Sequence, residues 1–246
     1  MATAVKNGSA GENAVEMGHD RAHADFPVKI WTAAGQNNLD EKIDSVAEEI
    51  PVALVFNDIS HAVMMVSPSE LDFFAIGFSL TEGIIKQPDD IYDLQVSTGD
   101  AGIEVKITLS NQCFTQLKDR RRSMSGRTGC GVCGAESLEQ IRLPVPSVKS
   151  DSIVSHDALQ KATMSLADFQ PLQAVTGAVH GAAWFDPKGK MLQICEDVGR
   201  HNALDKLIGC LSKEKLLGEP GFLLLSSRAS YEMVQKAAMA GIAIVV

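Results

Sequence analysis

From Met191 onward the chain alternates apolar runs with helical stretches, and this rhythm constrains the fold more than any other feature. Strand-like runs at 191–196, 222–226 and 242–246 are separated by helical patterns at about 200–212 and 230–240. Strand–helix–strand units of this length imply parallel pairing by right-handed crossovers, with helices covering the sheet. In such sheets ligands bind beyond the carboxyl ends of the strands. Two loops fall there: Glu196-Asp197-Val198-Gly199-Arg200-His201-Asn202 and Ser226-Ser227-Arg228. Both put a cation and hydroxyl or amide groups at a helix start, a setting that suits phosphate. Upstream, residues 178–185 and 191–196 flank Asp186-Pro-Lys-Gly-Lys190, a hairpin signal, and Ser155 is placed to cap a helix running to about Asp168.

The first half has a different grammar. Residues 52–56 and 59–66 are β-rich runs around Asn57-Asp58, a two-residue hairpin turn. A helix follows, with Ser67 as N-cap, Pro68 at the first helical position, Glu70 completing a capping box and Gly83 at the stop. Runs at 91–96 and 103–109 then complete a ββαββ unit. His61 and Glu82 are single polar residues that read as structural or surface groups, so this half is a scaffold. Residues 1–45 are polar with little periodicity and read as a mostly disordered or loosely attached leader. The expected division is therefore a leader at 1–45, an α+β domain at 46–125, a thiol loop and proline-punctuated linker at 126–150, and an α/β domain at 151–246.

Between the halves lies Arg127-Thr128-Gly129-Cys130-Gly131-Val132-Cys133-Gly134, with Lys118, Arg120, Arg121 and Arg122 just upstream. Positive neighbours lower a thiol's pKa and thiolate is the reactive form. The glycines let the backbone bend and leave the sulfurs uncovered. The chain as a whole is acidic, 22 Lys+Arg against 31 Asp+Glu, so general nucleic-acid affinity is excluded and the local cations point to an anionic ligand or partner. Five cysteines form no even disulfide framework, and neither a signal peptide nor a stretch near the ~20 apolar residues of a membrane span occurs, which fits a reducing cytoplasm.

Three chemistries suit the Cys130/Cys133 pair. Zinc needs about four ligands, and no second C-x-x-C or H-x-H pair supplies them short of a dimer. A thioredoxin-like redox motif follows a strand, whereas this one follows the polar basic stretch 119–127. Sulfur carriage as a persulfide needs a nucleophilic thiolate on an exposed loop, which the glycines and arginines suit. A non-catalytic docking role for the pair is a further alternative. Arg200 and His201 equally fit a structural pair at a helix start satisfied by Glu196 and Asp197, and the same holds for Arg228. Cys195 and Cys210 lie in apolar segments and read as inert core thiols, while Cys113 fits either role.

Several segments together resemble the formate dehydrogenase accessory sulfurtransferases, the FdhD/NarQ family. Thr128-Gly-Cys-Gly-Val-Cys-Gly134 is similar to the family's signature loop, and Glu196-Asp-Val-Gly-Arg-His-Asn-Ala-Leu-Asp-Lys-Leu-Ile-Gly209 to its second hallmark. Further likenesses are Ala75-Ile-Gly-Phe-Ser-Leu-Thr-Glu-Gly-Ile-Ile85, Val179-His-Gly-Ala-Ala183 and Ser227-Arg-Ala-Ser-Tyr-Glu-Met-Val-Gln-Lys-Ala-Ala238, so that the resemblance runs from about residue 47 to the end. The resemblance implies a cytoplasmic, homodimeric sulfurtransferase and chaperone. It would take persulfide sulfur from a cysteine desulfurase on Cys130, assisted by Cys133. It would pass that sulfur to molybdenum bis(molybdopterin guanine dinucleotide) before insertion into formate dehydrogenase. Arg200, His201, Asn202, Ser227 and Arg228 would meet the cofactor's guanine-nucleotide portion and phosphates. The fold class implied is α/β, with a small N-terminal α+β domain and a C-terminal α/β/α sandwich of cytidine-deaminase-like type. The deaminase zinc signature does not occur: Gly129 precedes Cys130 and no His-x-Glu exists. Family members continue past the strand at 242–246 with a helix and a final strand, so a truncated C-terminal domain with partial cofactor contacts is expected.

Overall fold

In the computed structural model the described residues are 22–31, 39–124, 145–150 and 152–246. β1 (His23–Trp31) and β2 (Leu39–Ala47) pair antiparallel. Within the expected leader, residues 23–31 and 39–45 are therefore paired strands and not disordered. The alternation in HADFPVKIW and LDEKIDSVA is diluted by charges on both faces, and pairing of the two segments, not burial, defines the ribbon; Phe26 and Ile43 stay exposed.

The ββαββ unit is present. β3 (Ile50–Phe56) and β4 (Ile59–Val66) form the expected hairpin, with Asn57 and Asp58 both at positive φ (45° and 63°), a conformation these two residue types tolerate. α1 (Leu71–Thr81) follows, then β5 (Ile91–Gly99) and β6 (Gly102–Leu109). The sheet order is β4-β3-β6-β5, with β3 and β6 parallel in the centre. Period-two alternation turns Val52, Leu54 and Phe56 of β3 and Val105, Ile107 and Leu109 of β6 into the core. Gly83 sits at φ 61° just past the helix, as expected of a stop.

The helix start differs from expectation. α1 begins at Leu71 after Glu70, which takes the left-handed conformation (φ 54°), and Ser67 caps nothing. Ser67 is buried, and its hydroxyl instead accepts from the Val198 N–H (3.2 Å) while its own N–H donates to Asp197 (3.0 Å). The Val198 N–H, 131 residues away, takes the hydroxyl oxygen that a cap would have turned to α1.

α2 (Asn111–Met124) runs through much of the basic stretch, which is therefore helical up to Met124. Cys130 and Cys133 lie outside the described residues. α3 (His156–Ser165) is capped as expected, the Ser155 hydroxyl accepting from Ala158 N–H at 3.2 Å. α4 (Pro171–Thr176), β7 (His180–Phe185), β8 (Met191–Asp197), α5 (Arg200–Lys213), β9 (Phe222–Leu225) and α6 (Tyr231–Met239) complete the order.

The second sheet is ordered β8-β7-β9, with Leu223 of β9 bridging Val245 in the parallel sense. β8, β9 and the last segment thus run the same way, as crossover helices require. β8 and β9 are not neighbours, however, for β7 lies between them antiparallel to both. The short 186–190 turn brings β7 onto β8 first, leaving the free edge of β7 to receive β9. Ala182, Trp184, Leu223 and Leu225 face the core shared with α5 and α6, while Ala183, Phe185, Phe222 and Leu224 face Ala162 and Leu166 on the other side. Helices therefore cover both faces.

The core does not divide at the expected linker. One buried cluster takes in β3, α1 and β6 together with α5, β9 and α6. α1 and α5 touch backbone to backbone: a Cβ on Gly77 would meet the Asp205 carbonyl, and one on Gly209 the Phe73 carbonyl. No helix among the described residues is long and apolar enough to cross a membrane.

Candidate functional site at the strand ends

Register brings the two phosphate-ready loops to one edge of the second sheet. His180 at the start of β7 pairs with Asp197 at the end of β8. Gly181 exchanges bonds with Ser226 just after β9: its N–H donates to the Ser226 hydroxyl (2.8 Å), and Ser226 N–H donates to its carbonyl (3.0 Å). The loops after β8 and β9 consequently emerge side by side, and each leads directly into a helix.

α5 starts at Arg200 with Gly199 as N-cap and no side-chain cap. A helix start leaves its first N–H groups without intrahelical partners. Among the described residues nothing accepts from the N–H groups of Arg200, His201 or Asn202. α6 starts after Ser230, also without a side-chain cap, and the Ser230 hydroxyl oxygen is buried without a partner. His201 Nε2 of α5 and Glu232 Oε2 of α6 lie 2.8 Å apart, an ion-pair distance without hydrogen-bond alignment. Burial holds the His201 pKa below its usual 6.5; Arg200 adds to that, while Glu232 opposes it.

The acids beside Arg200 are committed elsewhere, contrary to the structural-pair alternative. Glu196 is buried and its two oxygens accept from the Leu172 and Gln173 N–H groups (2.8 and 2.9 Å), capping α4. Asp197, fully buried, accepts from Ser67 N–H (3.0 Å), Gly199 N–H (2.8 Å) and the Asn202 amide (2.9 Å), and pairs with Lys206 Nζ at 2.7 Å. Arg200 Nε is buried without a partner, and neither Arg200 nor the exposed Arg228 has an ion pair among the described residues. Ser227 makes only a local bond to the Arg228 carbonyl (3.3 Å). Asn202 faces inward, its amide donating to Asp197 and to the Met65 carbonyl (2.8 Å). Of the five residues assigned to ligand binding, Arg200, His201 and Asn202 open α5, Ser227 and Arg228 lie in the loop between β9 and α6, and the Asn202 side chain is turned inward.

Sequence reasoning overlooked the buried polar groups of α5. Lys206 and Asp205 occupy adjacent positions on α5 and are both fully buried. Asp205 accepts from the Thr81 hydroxyl (2.7 Å) and from Lys236 Nζ of α6 (2.9 Å), and Lys236 also reaches Glu82 at 3.2 Å. Burial raises the Asp205 pKa against the pull of Lys236. For Lys236 burial is the largest influence and acts downward, but Asp205 and Glu82 outweigh it and the pKa ends raised. The signal was available: Asp205-Lys206 interrupts a helix that is apolar on both sides, Ala203-Leu204 and Leu207-Ile208. Cys195 and Cys210 are buried and hydrogen-bonded to each other; that bond, then burial, pushes the Cys195 thiol up. Cys113 is buried in the core, which resolves its two readings.

The model of the FdhD/NarQ family matches residues 47–246. The sulfur carrier protein FdhD of Cupriavidus necator is 50% identical over 220 residues, covering 89% of this chain and 75% of that protein. A crystal structure of a formate dehydrogenase accessory protein from Desulfotalea psychrophila has the same fold, with a TM-score of 0.66 at 24% identity over 92% of this chain and 83% of that one. On the extent of the family match and the identity to a curated member, the chain belongs to the FdhD/NarQ family.

Proposed function

We propose that this protein is a cytoplasmic, homodimeric sulfurtransferase that serves formate dehydrogenase, with a cysteine desulfurase as donor and molybdenum bis(molybdopterin guanine dinucleotide) as the substrate that receives sulfur. The name of its Cupriavidus relative, a sulfur carrier protein, supports the sulfur half of this reading. Cys130 thiolate attacks the terminal sulfur of the donor's persulfide, the donor cysteine leaves as thiolate, and the sulfane sulfur stays on Cys130. Release of that sulfur as sulfide takes two electrons. Cys133 provides for them by attacking Cys130, so that the pair closes to a disulfide as sulfide departs; an external thiol reopens it.

The observation that carries the cofactor half is the uncapped start of α5 beside guanidinium groups without ion pairs among the described residues. Arg200 and Arg228 have no ion pair among the described residues, and the N–H groups at the start of α5 are open, in a protein whose net charge is −9. Unpaired guanidinium groups and open helix starts are the donors that phosphate takes. On this reading His201 and Ser227, in the same two loops, add contacts, while the Asn202 amide is bonded inward to Asp197. We extend the proposal to the second sheet and its helices, which on this reading form a cytidine-deaminase-like sandwich turned from deamination to nucleotide recognition.

Two measurements test it. After incubation with a cysteine desulfurase and cysteine, mass spectrometry should find one added sulfur atom on Cys130 and none in Cys130→Ser; sulfur on other thiols with Cys130 unmodified refutes the carrier role. Titration with GDP should give binding that weakens about tenfold in Arg200→Ala and in Arg228→Ala, about 1.4 kcal/mol each. Unchanged affinity in both refutes the site.

A further inference from the structure

Among the described residues Lys206 is the longest charged side chain wholly enclosed by the fold, and the ligand contacts proposed above make no use of it. We propose that Lys206, paired with Asp197, is a positioning residue that shapes the 198–202 loop for phosphate and cancels a carboxylate charge beneath it. The inference rests on reading that loop as an anion site.

Two features of the pair lead there. The first is geometric. Asp197 Oδ1 takes the Gly199 N–H and the Asn202 amide, while Oδ2 takes the Ser67 N–H and Lys206 Nζ. Four donors saturate a carboxylate. Lys206 also donates to the Ser67 carbonyl (3.0 Å), and the Ser67 hydroxyl holds the Val198 N–H (3.2 Å). The N–H groups of Val198 and Gly199 are thereby turned inward, and the next three along the chain are left open. Ser67 precedes α1 in the other half of the molecule, so the loop takes its shape from outside its own sheet.

The second feature is charge. Asp197 lies three residues before the first residue of α5, where an unneutralised carboxylate would repel the anion that the helix start attracts. Lys206 at 2.7 Å cancels it from a buried position. Stability alone does not account for such a pair, since well-packed apolar replacements of buried ion pairs are often neutral or stabilising.

The test uses the full chain, with GDP as probe and guanosine as its phosphate-free counterpart. Lys206→Met keeps the length of the side chain and removes its charge. It should weaken GDP at least tenfold while guanosine changes less than twofold, and adding Asp197→Asn should recover part of the loss by removing the stranded charge. Ser67→Ala removes only the hydroxyl, and should speed amide exchange at 198–202 in the free protein and weaken GDP several-fold. A folded Lys206→Met that binds GDP within twofold of the parent overturns the inference, and so does an equal loss for GDP and guanosine. If Lys206→Met does not fold, Ser67→Ala decides by the same criteria. If the parent itself binds no GDP, the anion-site reading fails first. Exchange at 198–202 then judges the positioning role separately, and unchanged exchange in Ser67→Ala refutes it.

Discussion

Replacing Gly77 by alanine puts one methyl group where α1 meets α5 and tests whether that contact sets the helix spacing. A Cβ there would lie 2.6 Å from the Asp205 carbonyl carbon and 2.9 Å from Gly209 N, with the Asp205 carbonyl oxygen nearer still. The obstacle is backbone, which cannot swing aside as a side chain does. Restoring carbon contacts of ~3.5–4.0 Å requires the helices to part by on the order of 1 Å. A gap of that size forfeits roughly a quarter to a half of each dispersion contact along the seam. Overpacking of this kind costs about 1–3 kcal/mol, and the parted seam places this site at the upper end. Against it stands the helix propensity gained on replacing a mid-helix glycine, about 0.5–1 kcal/mol. The net loss expected is about 2 kcal/mol, which for a chain of this length lowers Tm by about 4–8 °C. Gly209→Ala, whose Cβ would lie 2.7 Å from the Phe73 carbonyl carbon, should cost a similar amount. The double variant should cost less than the sum, since one separation relieves both clashes. Urea and thermal unfolding followed by far-UV circular dichroism read all three. A Gly77→Ala protein as stable as the parent, or single costs that add in full, refutes the reasoning.

Three other outcomes are expected. With His201 held below its usual 6.5, chiefly by burial, the unfolded chain binds more protons than the folded one just below that pH. Stability is therefore lost as pH falls through 6.5 toward the folded value, and the fall in Tm between about pH 7.5 and 5.5 should be smaller in His201→Gln; equal falls disprove it. Lys236→Met strands the buried Asp205 carboxylate and should destabilise by about 3–5 kcal/mol in denaturant unfolding, with much of the loss recovered in Lys236→Met/Asp205→Leu. Glu196→Ala frees the Leu172 and Gln173 N–H groups, and should cost about 2–3 kcal/mol and speed their amide exchange; unaltered exchange shows that α4 does not depend on this cap.

Strands β3 to β9 and helices α1, α3, α5 and α6 were legible because their patterns are strong, whereas α2 and α4 were not read and 242–246 forms only a bridge at Val245. Asn57-Asp58 between two apolar runs marks a hairpin wherever it occurs, and Ser155 caps α3 from three residues away. What failed depended on distant partners. Ser67-Pro68 has every local mark of a helix start, yet the Val198 N–H claims the Ser67 hydroxyl and α1 opens at Leu71 instead. β7 lies between β8 and β9, antiparallel to both, an order that no single run of residues encodes. At the candidate site the loops and their arginines could be named, but the loss of Glu196 and Asp197 as their partners could not, because α4 and Ser67 supply the competing donors.

Sequence alone determined the crossover rhythm of the second half, the strand-end position of Arg200 and Arg228, and the likeness to the FdhD/NarQ family. These rest on local periodicity and contiguous motifs, which survive reading one residue at a time. Tertiary structure decided that the two halves share one core, that α1 and α5 close to backbone contact at Gly77 and Gly209, and that Asp197 serves Lys206 and Ser67. Each of those depends on which donor, acceptor or hydrogen atom a distant segment brings within a few ångströms, and buried charges and close backbones are settled by that competition alone.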